Sequence, residues 1–196
     1  MSALRLGLTG GLASGKSTVA RLLAERGARV VDADRLVAEL YRAGEPGALA
    51  AAELFGPRVL DASGAVDRER LAEIVFTDPE ARLRLERAVH PLVRERFAEI
   101  ARAAAEGVVV LEATLLVEAG YAPGFDRVVT VEADPKARLE RAVARGMSEA
   151  EARRRLAAQG DGAPRRAAAD TVIRNDGDLA ALERQVEDFW RTLHQR

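Results

Sequence analysis

Four residues between positions 16 and 34 have types suited to moving a phosphoryl group: Lys16, Ser17, Asp32 and Asp34. The first two close the stretch Gly10-Gly11-Leu12-Ala13-Ser14-Gly15-Lys16-Ser17, which fits G-x-x-x-x-G-K-[ST] at every fixed position. An apolar run at residues 4–9 precedes it, and residues 17–23 follow with helical spacing, so the pattern stands between a strand and a helix. In that setting successive backbone N–H groups of Gly11 to Thr18 turn inward on a polyphosphate, and the positive end of the helix adds to the field. Lys16 reaches the β- and γ-phosphates, and the Ser17 hydroxyl ligates Mg²⁺. Lysine otherwise occurs only at position 136 in a chain whose default cation is arginine. A compact ammonium stands where a planar guanidinium would not thread the loop.

A phosphate loop alone says only that a nucleoside triphosphate binds. The chain lacks an N-K-x-D guanine-reading motif and a long apolar strand ending in paired Asp-Glu. What remains is the loop, the pair Asp32 and Asp34, a helical insertion, and late-clustered arginines at 138, 141, 145, 153–155, 165 and 166. That is the layout of a small-metabolite kinase. Arginines on a closing flap neutralise charge on the transferring group and exclude water, while Asp34 or Asp32 takes the proton of an acceptor hydroxyl. A nucleoside or nucleotide kinase fits the same constellation, and so does a nucleotide-dependent switch with no acceptor.

The whole chain sets limits on these readings. Its 196 residues, 48% hydrophobic and 31% charged, suit one soluble core with insertions. A net charge of −1 argues against nucleic acid and membrane surfaces as partners, and no obligate protein partner is evident. No apolar run reaches the length of a membrane span, there is no secretory signal, and cysteine is absent, so the expected location is cytoplasmic.

The elements that must hold these residues follow from pattern. Gly27 stops the first helix, residues 28–32 form a strand, and Asp32-Ala33-Asp34 lies at its C-terminal end, where ligand chemistry gathers in open α/β sheets. The structural alternative for Asp34 is an N-cap of the helix that follows, but a cap needs no second aspartate before it, which favours the proton acceptor. Residues 48–106 show no convincing strand; Asp67 and Asp78 read as helix starts. Residues 108–113 and 127–132 are apolar strands. Asp134-Pro135 starts a helix to Arg145, Ser148 caps another to about Gln159, and this pair forms an arginine-rich flap hinged at Gly160-Asp161-Gly162. Residues 171–173 are the last strand, and Asp178 caps a final helix with Leu179, Leu182, Val186, Phe189, Trp190 and Leu193 facing the core. His90, followed by Pro91 in a helical stretch, reads first as structural; Arg94, one turn on, is placed to meet an acceptor phosphate. His194 carries no assignment.

Across nearly its whole length the sequence resembles the dephospho-CoA kinase family. Residues 7–19, G-L-T-G-G-L-A-S-G-K-S-T-V, are similar to that family's G-L-T-G-G-I-G-S-G-K-S-T-V. Asp32-Ala33-Asp34 is similar to its D-A-D, His90-Pro91-Leu92-Val93-Arg94 to its H-P-L-I-R, and Leu115-Leu116-Val117-Glu118 to its L-L-F-E. Arg141, Arg145, Arg155 and Gln159 match the family's lid residues, and residues 169–175 match its A-D-x-V-I-x-N. The resemblance implies transfer of the ATP γ-phosphate to the ribose 3′-hydroxyl of dephospho-CoA, the last step of coenzyme A synthesis, with Mg²⁺.

The resemblance also implies roles and an architecture. Asp34 is the base, Arg141 a lid arginine near ATP, Arg145 and Asn175 are on the nucleotide side with Asn175 by the adenine, and Asp32, His90, Arg94, Leu115 and Glu118 are on the acceptor side. The fold implied is α/β, a P-loop kinase with a five-stranded parallel sheet flanked by helices. Its core would be residues 1–43, 107–133 and 167–196, with a helical CoA-side insertion at about 44–106 and a lid at about 134–166. Three positions depart from the family pattern. Ala13 replaces a glycine, which is strained unless its φ is negative. Glu112-Ala113-Thr114 replaces D-x-P, leaving the role of Glu112 open, and Arg138 stands where glutamine is frequent. None of the three is expected to touch the transfer machinery directly.

Overall fold

The structure is a computed structural model that describes residues 3–193; His194 lies outside them. Residues 32–103 form one compact unit, and the described residues on either side form another.

The flanking unit carries a five-stranded parallel sheet in the order β2-β3-β1-β4-β5. Its strands are β1 (Leu4–Gly10), β2 (Arg29–Asp32), β3 (Val108–Glu112), β4 (Arg127–Glu132) and β5 (Thr171–Arg174). β1 pairs in register with β3, Leu4 opposite Val108, and with β4, Leu6 opposite Arg127. Both neighbours being parallel, the middle strands are covered on both faces and read as unbroken apolar runs. Leu6, Leu8, Val110, Val129 and Val131 are fully buried. Helix α1 (Lys16–Glu25) adds Val19, Leu22 and Leu23 to this core, and α9 (Leu179–Leu193) adds Leu182, Val186, Phe189 and Leu193. Leu179 is not in that stripe: at the first helical position it is 51% exposed.

Between β4 and β5 the chain forms α6 (Pro135–Ala144), α7 (Glu149–Ala158) and a short α8 (Ala163–Ala168). The Asp134 carboxylate accepts from the Lys136 and Ala137 amides, and the Ser148 hydroxyl from the Glu151 amide, as their capping positions require. α8 was not expected from the sequence, because six residues give no periodicity to read. α6 and α7 do not stand clear of the sheet unit: Ala142 and Ala152 pack on Ala13, with Leu12, Leu139 and Met147 around them.

The unit of residues 32–103 is helical, with α2 (Ala33–Leu40), α3 (Pro46–Phe55), α4 (Arg68–Thr77) and α5 (Pro79–Ala103). Asp67 caps α4, and Asp78 accepts from the Glu80 and Ala81 amides at the start of α5. Its core is Phe55, Val59, Val66, Leu71 and Ala81. α5 runs unbroken through Pro91 and packs against α2, α3 and α4.

Candidate active site

The loop between β1 and α1 is glycine-bearing for steric reasons that can be read atom by atom. Gly15 has φ +101°, and a Cβ there would lie 2.1 Å from Asn175 Nδ2. A Cβ on Gly11 would lie 2.2 Å from Arg138 Nη2. Ala13 adopts φ +55°, the left-handed region that costs a non-glycine residue about 1 kcal/mol. The negative φ that would have made this alanine free of strain is therefore not what the loop uses; its methyl is instead buried against Ala142 and Ala152.

Within the loop the Ser14 amide donates to Gly11 O and the Leu12 amide to Gln159 Oε1. The amides of Ala13, Gly15, Lys16 and Ser17 have no acceptor among the described residues. Four unspent donors beside a helix N-terminus form a concave anion site.

At the mouth of this loop, Lys16 Nζ donates to Glu112 Oε1 at 2.7 Å and Ser17 Oγ to the same oxygen at 3.0 Å. Glu112 ends β3 and lies opposite Leu8 of β1, so parallel register alone carries it to the loop. Its position bears on what the sequence left open: this carboxylate lies on Lys16 and Ser17 of the loop. Ser17 and Glu112 offer hard oxygen donors and few of them, a set that suits Mg²⁺ completed by phosphate oxygens and water.

A second layer holds the loop from behind. Asn175 Nδ2 donates to Ser14 O at 2.8 Å, and Arg141 Nη2 donates to Asn175 O at 2.9 Å. The buried Arg141 Nη1 and Ser14 Oγ have no hydrogen-bond partner among the described residues. Arg138, which the sequence reading kept away from the machinery, donates from Nε to Leu12 O at 2.9 Å and from Nη2 to Gln159 Oε1 at 2.8 Å. Burial, then the nearby Arg165, hold its guanidinium below the usual value, with Glu132 opposing. Pattern could have found it: Arg138 and Ala142 share the inward stripe of α6, where a charge needs a reason.

Glu118 is also explained by a partner that the sequence did not supply. Arg165, 2% exposed at the side chain, donates from Nη1 to Glu118 Oε1 at 3.0 Å, and its Nε lies 3.7 Å from Glu132 Oε1. Glu132 ends β4 as Glu112 ends β3, and it is buried, accepting from Thr130 Oγ1 at 3.0 Å. Leu115 is exposed, as are Arg145 and Arg155.

In the helical unit, Asp32 is the cap of α2, its carboxylate accepting from the Asp34 and Arg35 amides. Asp34 is therefore the second helical residue rather than the cap. Its carboxylate is exposed and has no partner among the described residues. His90 and Arg94 lie one turn apart on α5, to which α2 packs. Burial pushes the half-buried His90 imidazole below its ordinary value, Arg94 adds to this, and Glu86 opposes it.

Residues 4–181 match the family model described as dephospho-CoA kinase. A dephospho-CoA kinase from Streptomyces avermitilis is 48% identical over 98% of this chain and 95% of its own. Among solved structures, TT1252 from Thermus thermophilus superposes with a TM-score of 0.81 at 36% identity, covering 98% of this chain and 99% of that one. The dephospho-CoA kinase from Campylobacter jejuni, at 23% identity and a TM-score of 0.63 over 96% of both chains, shares the fold.

Proposed function

Because the chain belongs to the dephospho-CoA kinase family and phosphorylates dephospho-CoA with ATP in coenzyme A biosynthesis, we propose how its residues divide that work. The acceptor is the ribose 3′-hydroxyl. The amides of Ala13, Gly15, Lys16 and Ser17, with the Lys16 ammonium, bind the β- and γ-phosphates. The observation that carries this reading is the contact of Lys16 and Ser17 with one carboxylate oxygen of Glu112. When ATP enters, Lys16 exchanges Glu112 for phosphate, which leaves the carboxylate beside the Ser17 hydroxyl.

Ser17 and Glu112 hold Mg²⁺, which supplies charge neutralisation on the bound phosphates. Arg141 and Arg145 add positive charge on the nucleotide side, and Asn175 keeps the Ser14 carbonyl turned away from the phosphates. Asp34 takes the proton of the attacking hydroxyl, having no partner among the described residues, while Asp32 already accepts the Asp34 and Arg35 amides on Oδ1. Asp32, His90, Arg94, Leu115 and Glu118 form the acceptor side. No helix among the described residues is long and apolar enough to cross a membrane, and the enzyme works in the cytoplasm on small-molecule substrates. The architecture the reading assigns is a core, a CoA-side insertion at about residues 44–106 and a lid at about 134–166.

The decisive assay presents dephospho-CoA, pantetheine phosphate, uridine and AMP in parallel with ATP and Mg²⁺. Dephospho-CoA is expected to be the preferred acceptor, with the phosphate found on the 3′-oxygen. Phosphorylation of uridine in preference to dephospho-CoA would sink the assignment.

A further inference from the structure

Among the described residues, Leu12 is the one loop residue whose amide and carbonyl are both engaged by side chains from outside the loop. Its N–H donates to Gln159 Oε1 at 2.8 Å, and its carbonyl accepts from Arg138 Nε at 2.9 Å. Arg138 Nη2 closes the figure by donating to the same Gln159 oxygen at 2.8 Å. The three bonds make a ring: amide to glutamine, guanidinium to the same glutamine oxygen, guanidinium to carbonyl. Only a planar fork with two donors on one edge spans the two acceptors at once. The fit is tight, since a single added carbon on Gly11 would meet the guanidinium.

We propose that Arg138 is a positioning residue for the phosphate loop: with Gln159 it fixes the Leu12 peptide, so that the neighbouring amides face the phosphate site before ATP arrives. The inference rests on the reading of this loop as the ATP site. It assigns Leu12 a different part from its neighbours, because its N–H is spent on Gln159 while those of Ala13, Gly15, Lys16 and Ser17 stay open. Gln159 and Arg138 come from the end of α7 and the first turns of α6, and Ala13 packs its methyl on both helices. The loop is thus held by polar bonds at Leu12 and by apolar contact at the next residue. A loop ordered in advance binds its ligand without the ordering cost that a loose one meets on binding.

The test uses Arg138→Met, Gln159→Ala, the double variant, and Arg138→Gln as the conservative change. ATP is titrated directly without acceptor, exchange of the Leu12 amide is followed in the ATP-free protein, and kcat and KM are measured for both substrates. Arg138→Met is expected to weaken ATP binding about 10-fold and to speed Leu12 exchange about 10-fold, with KM for dephospho-CoA within about 2-fold. The double variant should be no worse than the poorer single one, since both break one ring. Arg138→Gln should recover part of the loss, having one donor for the carbonyl. Unchanged ATP affinity and Leu12 exchange in Arg138→Met would overturn the proposal. So would a parallel rise of both KM values with a lowered thermal midpoint in every variant, Arg138→Gln included. A protein inert toward dephospho-CoA would overturn the functional reading instead, and would leave the titration and exchange results standing.

Discussion

Glu112 is the last residue of β3 and Asp34 lies two residues beyond β2, yet these two carboxylates at strand ends are held in opposite ways. Glu112 is 13% exposed at the side chain and grips Lys16 and Ser17 through one oxygen. Asp34 is exposed, and no described residue holds its carboxylate. The difference matches the roles proposed for them. Groups that stabilise charge on a phosphate work best when fixed in advance, since no reorganisation is then needed during reaction. A base must keep a lone pair for a proton that arrives with the acceptor. The chain spends Asp32 on capping α2, and that leaves Asp34 unencumbered two residues later.

The contrast can be broken at either end. Asp34→Asn is expected to lower kcat by about 10²-fold or more while leaving ATP affinity unchanged in a direct titration. Near-normal turnover would mean that the unheld carboxylate has no proton to move. Glu112→Gln keeps the shape but removes the charge that Lys16 and Ser17 share, so the Mg²⁺ concentration for half-maximal rate should rise about 10-fold. An unaltered metal dependence would leave Glu112 as a tether for Lys16 alone. The smallest effect is expected at Ala13. Glycine there relieves about 1 kcal/mol of left-handed strain but loses a buried methyl worth about 0.8 kcal/mol. With glycine's extra unfolded-state freedom added, the terms nearly cancel, and the change in urea unfolding should stay within about 1 kcal/mol. A larger loss would show that the methyl contact with Ala142 and Ala152 outweighs strain.

Most of the frame was legible because local signals agreed with it. Asp67, Asp78, Asp134, Ser148 and Asp178 each cap the helix their position announced. The apolar runs at 108–113 and 127–132 became interior strands, the first ending at Glu112. What could not be read was set by partners distant in sequence. Arg138 looks like one more arginine on a helix until Leu12, 126 positions away, is placed against it. Arg165 looks like part of a solvated basic run, yet it is 1% exposed because Glu118 and Glu132 converge on it. Glu112 was ambiguous because its meaning comes from register with β1, which no single strand encodes. Which aspartate of D-A-D caps α2 was not legible, because either could serve and only backbone dihedrals decide; Asp32 is extended at ψ 123°.

The strand order also has a consequence in time. β2, although made next after β1 and α1, is not beside β1; the neighbours of β1 are β3 and β4. Leu4 therefore has no strand to pair with until Val108 has been synthesised. At ribosomal rates of about 5–20 residues per second, that leaves an apolar ribbon unpartnered for roughly 5–20 s. A newborn chain of this protein should therefore be most prone to misassociation, and to capture by chaperones, in the interval when the helices of 32–103 are emerging. Stalled ribosomes carrying nascent chains cut before and after β3 would differ sharply in protease resistance at β1.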